Sequence, residues 1–127
     1  MDAVQALADL TEISSQIEAA VLFDAGGSVL GSTLSEGAAV GALAASAAAL
    51  LGSADAHAAD AAVTQLEAAT GGGSVFVVRD GDRRIAAVTG PAPTVGLVFY
   101  DLKSCLRGVA EPEKPKRTRR KKVDDEA

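Results

Sequence analysis

Residues that carry out chemistry are scarce in this sequence. Its 127 residues include one cysteine, one histidine, three phenylalanines, one tyrosine and no tryptophan. The lone cysteine, Cys105, excludes an intrachain disulfide and is typical of a protein from a reducing compartment. One histidine and one cysteine do not make a metal-ligand set. We therefore predict a protein without a metal or other cofactor.

Catalytic motifs are lacking as well. His57 falls near the predicted end of a helix, where the helix dipole favours it, and no G-x-S-x-G motif supplies a nucleophile. The stretch GSVLGS at residues 27–32 lacks the lysine of a phosphate loop, and the glycines at 71–73 precede a strand. Cys105 lies on an apolar stripe and is expected to act as a small hydrophobe. The sequence therefore predicts neither an enzyme nor a small-molecule substrate.

Positive charge is deficient except near the C-terminus. The net charge is −5, yet seven of the twelve basic residues lie between positions 114 and 122. We expect residues 111–127 to form a disordered tail. The tail either contacts an anionic lipid surface, a nucleic-acid backbone or an acidic partner, or it only aids solubility. Its candidate contact residues are Lys114, Lys116, Arg117, Arg119, Arg120, Lys121 and Lys122.

The sequence shows no clear targeting signal. Its first residues, MDAVQALADL, carry an early acid and no basic region, which is unlike a signal peptide. Residues 37–53 have few charges, but alanines and glycines dominate them, so we expect them to be too weakly apolar for a membrane span. These features favour a cytoplasmic protein.

Hydrophobic periodicity predicts three helices and five strands in the order α-β-β-α-β-β-β-α. The expected fold is α/β (α+β), with a five-stranded, mainly antiparallel sheet and helices on both faces. The first helix should begin after an Asp2 cap, and the second after a Ser35 cap. The predicted helices cover residues 2–17, 36–57 and 94–109, and the strands cover 20–23, 29–33, 63–69, 74–79 and 84–89.

The middle helix combines an apolar stripe with a lane of small residues. The stripe includes Val40, Leu43 and Ala47, and the lane includes Gly37, Gly41 and Ala48. A glycine inside a helix costs roughly 1 kcal/mol relative to alanine, so close packing should offset that cost. Two interpretations stay open here. The helix packs only on its own sheet, or it also meets a second subunit.

Three arginines cluster at the last hairpin, whose turn is Asp80-Gly81. An arginine supplied to a partner can stabilise phosphoryl transfer. The favoured alternative is that Arg79 and Arg84 pair locally with Asp80 and Asp82.

Four stretches, in this order and spacing, resemble the Roadblock family. They are AAVLFDAGGSVLGST (19–33), VTQLEAATGGGSVFVVRD (63–80), RRIAAVTG (83–90) and PTVGLVFYDL (93–102). This family is the dynein light-chain-like branch of the Roadblock/longin superfamily, with a profilin/longin-like fold. The resemblance covers about residues 1–109, and it implies a domain at 1–110 followed by the basic tail.

The resemblance also implies a homodimer and a bacterial type of small Ras-like GTPase regulator or scaffold, which is not itself an enzyme. In such proteins the middle helix and the third strand meet their symmetry mates, and catalysis lies in the GTPase. One alternative is an electrostatic tether, in which the folded part only dimerises and the tail binds. A small-ligand sensor ranks last. The expected dimer-interface residues are Gly37, Val40, Gly41, Leu43, Ala44, Ala47, Ala48, Leu51, Val63, Gln65 and Glu67.

Overall fold

The fold has the predicted order of elements. A computed structural model describes residues 2–58 and 61–110. It confirms a five-stranded antiparallel sheet with helices on both of its faces. The elements are α1 (Ala3–Ile13), β1 (Ile17–Asp24), β2 (Val29–Ser32), α2 (Gly37–Asp55), β3 (Gln65–Thr70), β4 (Gly73–Asp80), β5 (Arg83–Thr89) and α3 (Val95–Ala110).

The sheet has the strand order β2-β1-β5-β4-β3, and every neighbouring pair is antiparallel. β1 and β5 lie in the middle, which is why both are apolar on successive residues rather than on alternate ones. β3 is the edge strand next to β4, and β2 is the opposite edge. The long connection through α2 therefore links the two edges of the sheet.

Two apolar cores lie on the two faces of the sheet. On one face, α1 and α3 cover large side chains such as Leu22, Phe76 and Ile85. Phe76 and Phe99 stack edge to face there, with ring centroids 5.0 Å apart. On the other face α2 alone covers the sheet, above Val21 and Phe23. The second core is therefore the smaller one.

Several boundaries differ from the sequence prediction. α1 ends at Ile13 rather than near residue 17. Ser14 is its C-cap, and the backbone N–H of Ser14 donates to the carbonyl oxygen of Leu10. Ile17 is instead the first residue of β1. The sequence prediction placed it in the helix because an apolar residue three places after Ser14 fits helical spacing, but the same residue also fits the start of a strand. The cap of α2 is Glu36 instead of Ser35, and no side chain caps it.

Gly73, at the start of β4, is the position where the fold most clearly requires glycine. Its φ is +156°, and a Cβ there would collide with the backbone carbonyl oxygen of Thr89. We expect Gly73→Ala to lower the free energy of unfolding by about 2 kcal/mol, measured by urea denaturation. Gly71→Ala is the matched control, because a Cβ at Gly71 meets nothing within 4 Å. Equal effects of the two substitutions would contradict this role of Gly73.

Candidate protein interface

One side of α2 belongs to the chain's own core. Ala44, Ala47 and Leu51 are buried against the sheet residues of the second core. All three were expected in the dimer interface, but their side chains are already covered by the sheet of their own chain, so we do not include them in the interface proposed below. α2 is apolar or small on all sides, so the sequence did not show which side faces the sheet.

The lane of small residues runs along one flank of α2, about a quarter turn around the helix from the buried residues. Gly37, Gly41, Ala45, Ala48 and Gly52 are all exposed. A Cβ added at any of the three glycines meets nothing within 4 Å. Packing inside the chain therefore does not require glycine at these positions. The glycines lower the stability of the helix, and no contact within the chain offsets this loss. An element from outside the chain that approaches the helix backbone closely would account for them.

The sheet beside α2 is only partly covered. α2 packs over β1, β2 and β5, toward one edge of the sheet. On the same face of β3 and β4, the side chains of Leu66, Ala68 and Val75 are half-buried. The pairings Leu66 with Val77 and Ala68 with Val75 fix these side chains on the α2 face. An apolar area is thus left open next to the exposed lane of α2.

β3 also has a free edge among the described residues, because β4 is its one neighbour there. Such an edge presents unpaired backbone groups that can pair with another strand. The side chains of Gln65 and Glu67 lie on the other face of the sheet, opposite Val78 and Phe76. Of the expected interface residues on β3, these two therefore contribute their backbone rather than their side chains.

We call this region the α2–β3 surface. It brings together the exposed lane of α2, the half-buried apolar side chains of β3 and β4, and the β3 edge. Of the expected interface residues, Gly37, Gly41 and Ala48 lie on it, whereas Val40 and Leu43 pack against the second core on the other side of the helix. The sequence analysis missed further members, although period-2 alternation in β3 would have found Leu66 and Ala68. The missed members are Ala45, Gly52, Leu66, Ala68 and Val75.

α2 is long and apolar enough, by length and composition alone, to cross a membrane. It has 19 residues, and the mean hydropathy of its most apolar window is 1.6. The expectation that this stretch is too weakly apolar is therefore wrong on composition. In this structure α2 packs on the sheet of its own chain through Ala44, Ala47 and Leu51, and 17% of that window is buried.

An ion pair fixes the C-terminal end of α2 to β4. Arg79 Nη2 lies 2.6 Å from Asp55 Oδ1, and Nη1 lies 2.9 Å from Oδ2, so the pairing is bidentate. Arg79 Nε donates to the carbonyl oxygen of Val63, and the Val63 N–H donates to Asp55 Oδ1. Val63, expected in β3 and in the interface, instead precedes the strand and joins this network.

The Asp55–Arg79 pair also corrects the interpretation of the arginine cluster. Arg79 pairs with Asp55 rather than with Asp80 or Asp82, and its side chain is 12% exposed. It is therefore not available to a partner as a catalytic arginine. Arg84 Nη1 donates to the backbone carbonyl oxygen of Asp82 at 3.3 Å.

The lone cysteine is buried and unreactive as a thiolate at neutral pH. Cys105 is buried, and burial raises the pKa of its thiol to about 11, with a smaller contribution from the charge of Asp9. The thiol therefore stays protonated at neutral pH and packs as a small hydrophobe. In residues 2–58 and 61–110 there is no group of three or more histidine, cysteine, aspartate or glutamate side chains that could hold a metal ion. The basic tail lies outside the described residues.

Comparison with known proteins shows that the fold of this chain is similar to folds already solved. No family model matches the chain, and no curated protein matches it. A Roadblock/LC7 domain from Streptomyces avermitilis superposes with a TM-score of 0.77 at 17% identity, over 86% of this chain and 95% of that one. An MglB with a tetrameric arrangement gives 0.73 at 17% identity, and the gliding protein MglB from Thermus thermophilus gives 0.70 at 16%, each over 85% of both chains.

The architecture is thus that of an α/β domain in which one helix covers one sheet face and two helices cover the other. The particular fold is the Roadblock/LC7 fold, which confirms the resemblance inferred from the sequence.

The Asp55–Arg79 pair should make stability depend on pH. The hydrogen bonds from Arg79 and then from the Val63 N–H lower the pKa of Asp55 from 3.8 to about 2. A lowered folded-state pKa stabilises the fold above about pH 4, and this stabilisation is lost as the pH falls through about 2. We expect Asp55→Asn to be less stable than the wild type at neutral pH in urea unfolding, and the difference to shrink between about pH 4 and 2.

The matched control is Glu36→Gln, because the Glu36 side chain makes no capping hydrogen bond. A difference between wild type and Asp55→Asn that stays constant down to about pH 2 would contradict this account of the pair.

Proposed function

We propose that this chain forms a homodimer through the α2–β3 surface. The observation that carries the proposal is the position of the three α2 glycines. They lie on an exposed flank of α2, where packing inside the chain does not require glycine, and part of the apolar face of the sheet is not covered by α2. A second copy of the chain offers a complementary surface, because it presents the same exposed helix and the same free strand edge.

A dimer with a two-fold axis would cover both the exposed lane of α2 and the free edge of β3. In an isologous dimer the same surface patch of both copies forms the interface, so if residue i of one copy contacts residue j of the other, then j of the first also contacts i of the second. The two β3 edges would then pair, and each edge would lose its unpaired backbone groups. The two α2 helices would lie side by side above the joined sheet, close together because Gly41 and Ala48 have little or no side chain. Leu66 and Val75 would be covered by the helix of the partner.

We further propose that the dimer is a cytoplasmic, non-enzymatic regulator or scaffold of a small Ras-like GTPase. The support is the likeness in fold to Roadblock/LC7 domains and to MglB, together with the function that the sequence resemblance implies. The partner supplies the nucleotide site. The dimer acts on the switch segments of the GTPase by binding them, since Arg79 is already held by Asp55.

Gly41→Leu should abolish the dimer while it keeps the protomer folded. A side chain at Gly41 has open space in the protomer, and leucine favours the helix by roughly 1 kcal/mol over glycine. The same side chain would hold the two helices apart. Sedimentation equilibrium should therefore give monomers for Gly41→Leu, with a melting temperature no lower than that of the wild type measured as a monomer.

Gly96→Leu is the control, since Gly96 lies on α3 and a Cβ there also meets nothing within 4 Å. It should remain dimeric. A dimer that survives Gly41→Leu would refute the proposed packing of the helices.

The proposed GTPase function is tested with the purified small Ras-like GTPases encoded in the same genome. We expect the wild type to bind one of them and to change its rate of GTP hydrolysis, and Gly41→Leu to lose this effect. Glu36→Gln serves as a surface control. If no GTPase responds while the wild type is dimeric, the regulatory proposal fails and the dimer stands.

A further inference from the structure

The side of α3 that faces away from the sheet combines exposed apolar and basic side chains. Leu97 and Tyr100, in its first half, are 49% and 63% exposed. Lys103 and Arg107, in its second half, are exposed as well. The helical period places these four side chains within about 120° of one another, on the side opposite buried Val98. We call this region the α3 outer face.

The α3 outer face carries no acidic side chain, although the chain as a whole is acidic. Asp101 is the one acid in α3, and it is 5% exposed. The neighbouring helix α1 carries Asp9 and Glu12. A negatively charged partner would therefore be attracted to α3 and repelled by α1.

Positive charge continues from α3 into the sequence that follows it. Arg107 lies three residues before α3 ends at Ala110, and the segment 114–122 begins four residues after that end. Acidic residues flank the segment on both sides, so its seven basic residues form one block. This block and the two cations of α3 together make nine positive charges near the C-terminal end of one helix.

We propose that the α3 outer face and the segment 114–122 bind the surface of a membrane that contains anionic phospholipids. Blocks of about four to eight lysines and arginines are attracted to the headgroups of such lipids. Leu97 and Tyr100 supply a second interaction, because aliphatic side chains and tyrosine rings enter the boundary between headgroups and acyl chains. The two kinds of side chain lie on the same side of the same helix.

A nucleic acid would use only part of this surface. Residues 111–127 include no aromatic side chain on which a base could stack. Their lysines and arginines would contact the phosphates, and Leu97 would have no apolar partner in a phosphate backbone. The exposed apolar half of α3 is therefore the observation that favours a lipid surface.

The proposed homodimer would present two such faces to one membrane, and this step rests on that dimer. Pairing of the β3 edges puts both α2 helices on one face of the joined sheet, so both α3 helices lie on the other. α3 packs over β4 and β5, whereas α1 packs over β1 and β2, so the two α3 helices are the pair nearer the joined edges. The membrane would then lie on the α3 side and leave the α2 side open to a GTPase.

Co-sedimentation of the full-length protein with lipid vesicles tests the proposal. We expect the wild type to bind phosphatidylcholine vesicles that contain about 30% phosphatidylglycerol, and not to bind vesicles of phosphatidylcholine alone. Binding should weaken steeply as the salt concentration rises to about 0.5 M. It should be lost when all seven basic residues of 114–122 are replaced by glutamine. Equal binding to the two kinds of vesicle, or binding to neither, would overturn the proposal.

Two matched pairs of substitutions test the α3 outer face itself. Arg107→Gln should lower the partition coefficient about fivefold, whereas Arg84→Gln, which removes the same charge beside α2, should leave it nearly unchanged. Leu97→Ser should lower it several-fold, whereas Leu30→Ser, at a 39% exposed position of β2, should not. Urea unfolding verifies that all four variants are folded. The proposal fails if the two members of either pair have equal effects.

A short DNA duplex is the competing anion in the same assay. We expect the phosphatidylglycerol vesicles to retain the wild type in its presence, and Leu97→Ser to be displaced more easily. If the duplex removes both proteins from the vesicles equally, the basic segment prefers a nucleic acid and the proposal is overturned.

Gly41→Leu separates this proposal from that of the dimer. As a monomer it should still bind the phosphatidylglycerol vesicles, but several-fold more weakly than the wild type, because it presents one face instead of two. If the wild type is itself monomeric, the dimer proposal fails, and the Arg107 and Leu97 pairs still decide whether the membrane proposal stands.

Discussion

The structure depends on how one helix covers a sheet that is wider than the helix. α2 alone lies on its face of the five-stranded sheet, and it packs over β1, β2 and β5. A helix is about 10 Å across, whereas adjacent strands are about 4.8 Å apart, so one helix cannot span all five strands. Leu66, Ala68 and Val75, on this face of β3 and β4, are therefore left half-buried. They form the proposed α2–β3 surface together with the free edge of β3 and the exposed glycines of α2.

The Asp55–Arg79 pair fixes the position of α2 relative to β4, and therefore the geometry of this surface. It links the last turn of α2 to β4 through two carboxylate oxygens, and Val63 ties the intervening chain to both. The position of α2 over the sheet is thus fixed at its C-terminal end. The opposite face needs no such device, because two helices share the larger core there.

Sequence patterns predicted the order of elements and the antiparallel sheet, because alternation, turns and helical periodicity are local properties. They failed at Ile17, where one apolar spacing fits both a helix and a strand. They also failed for Ala44, Ala47 and Leu51, because an alanine-rich helix does not show which side is buried. Asp55 and Arg79 are 24 residues apart, and only the tertiary fold joins them.

The central claim is that the region beside α2 exists to be covered by a second copy of the chain. The most direct measurement is sedimentation equilibrium of the wild-type protein over a wide range of concentrations. The account requires a mass of two chains at micromolar concentration and above, with dissociation only on dilution. A mass of one chain at every concentration would contradict it.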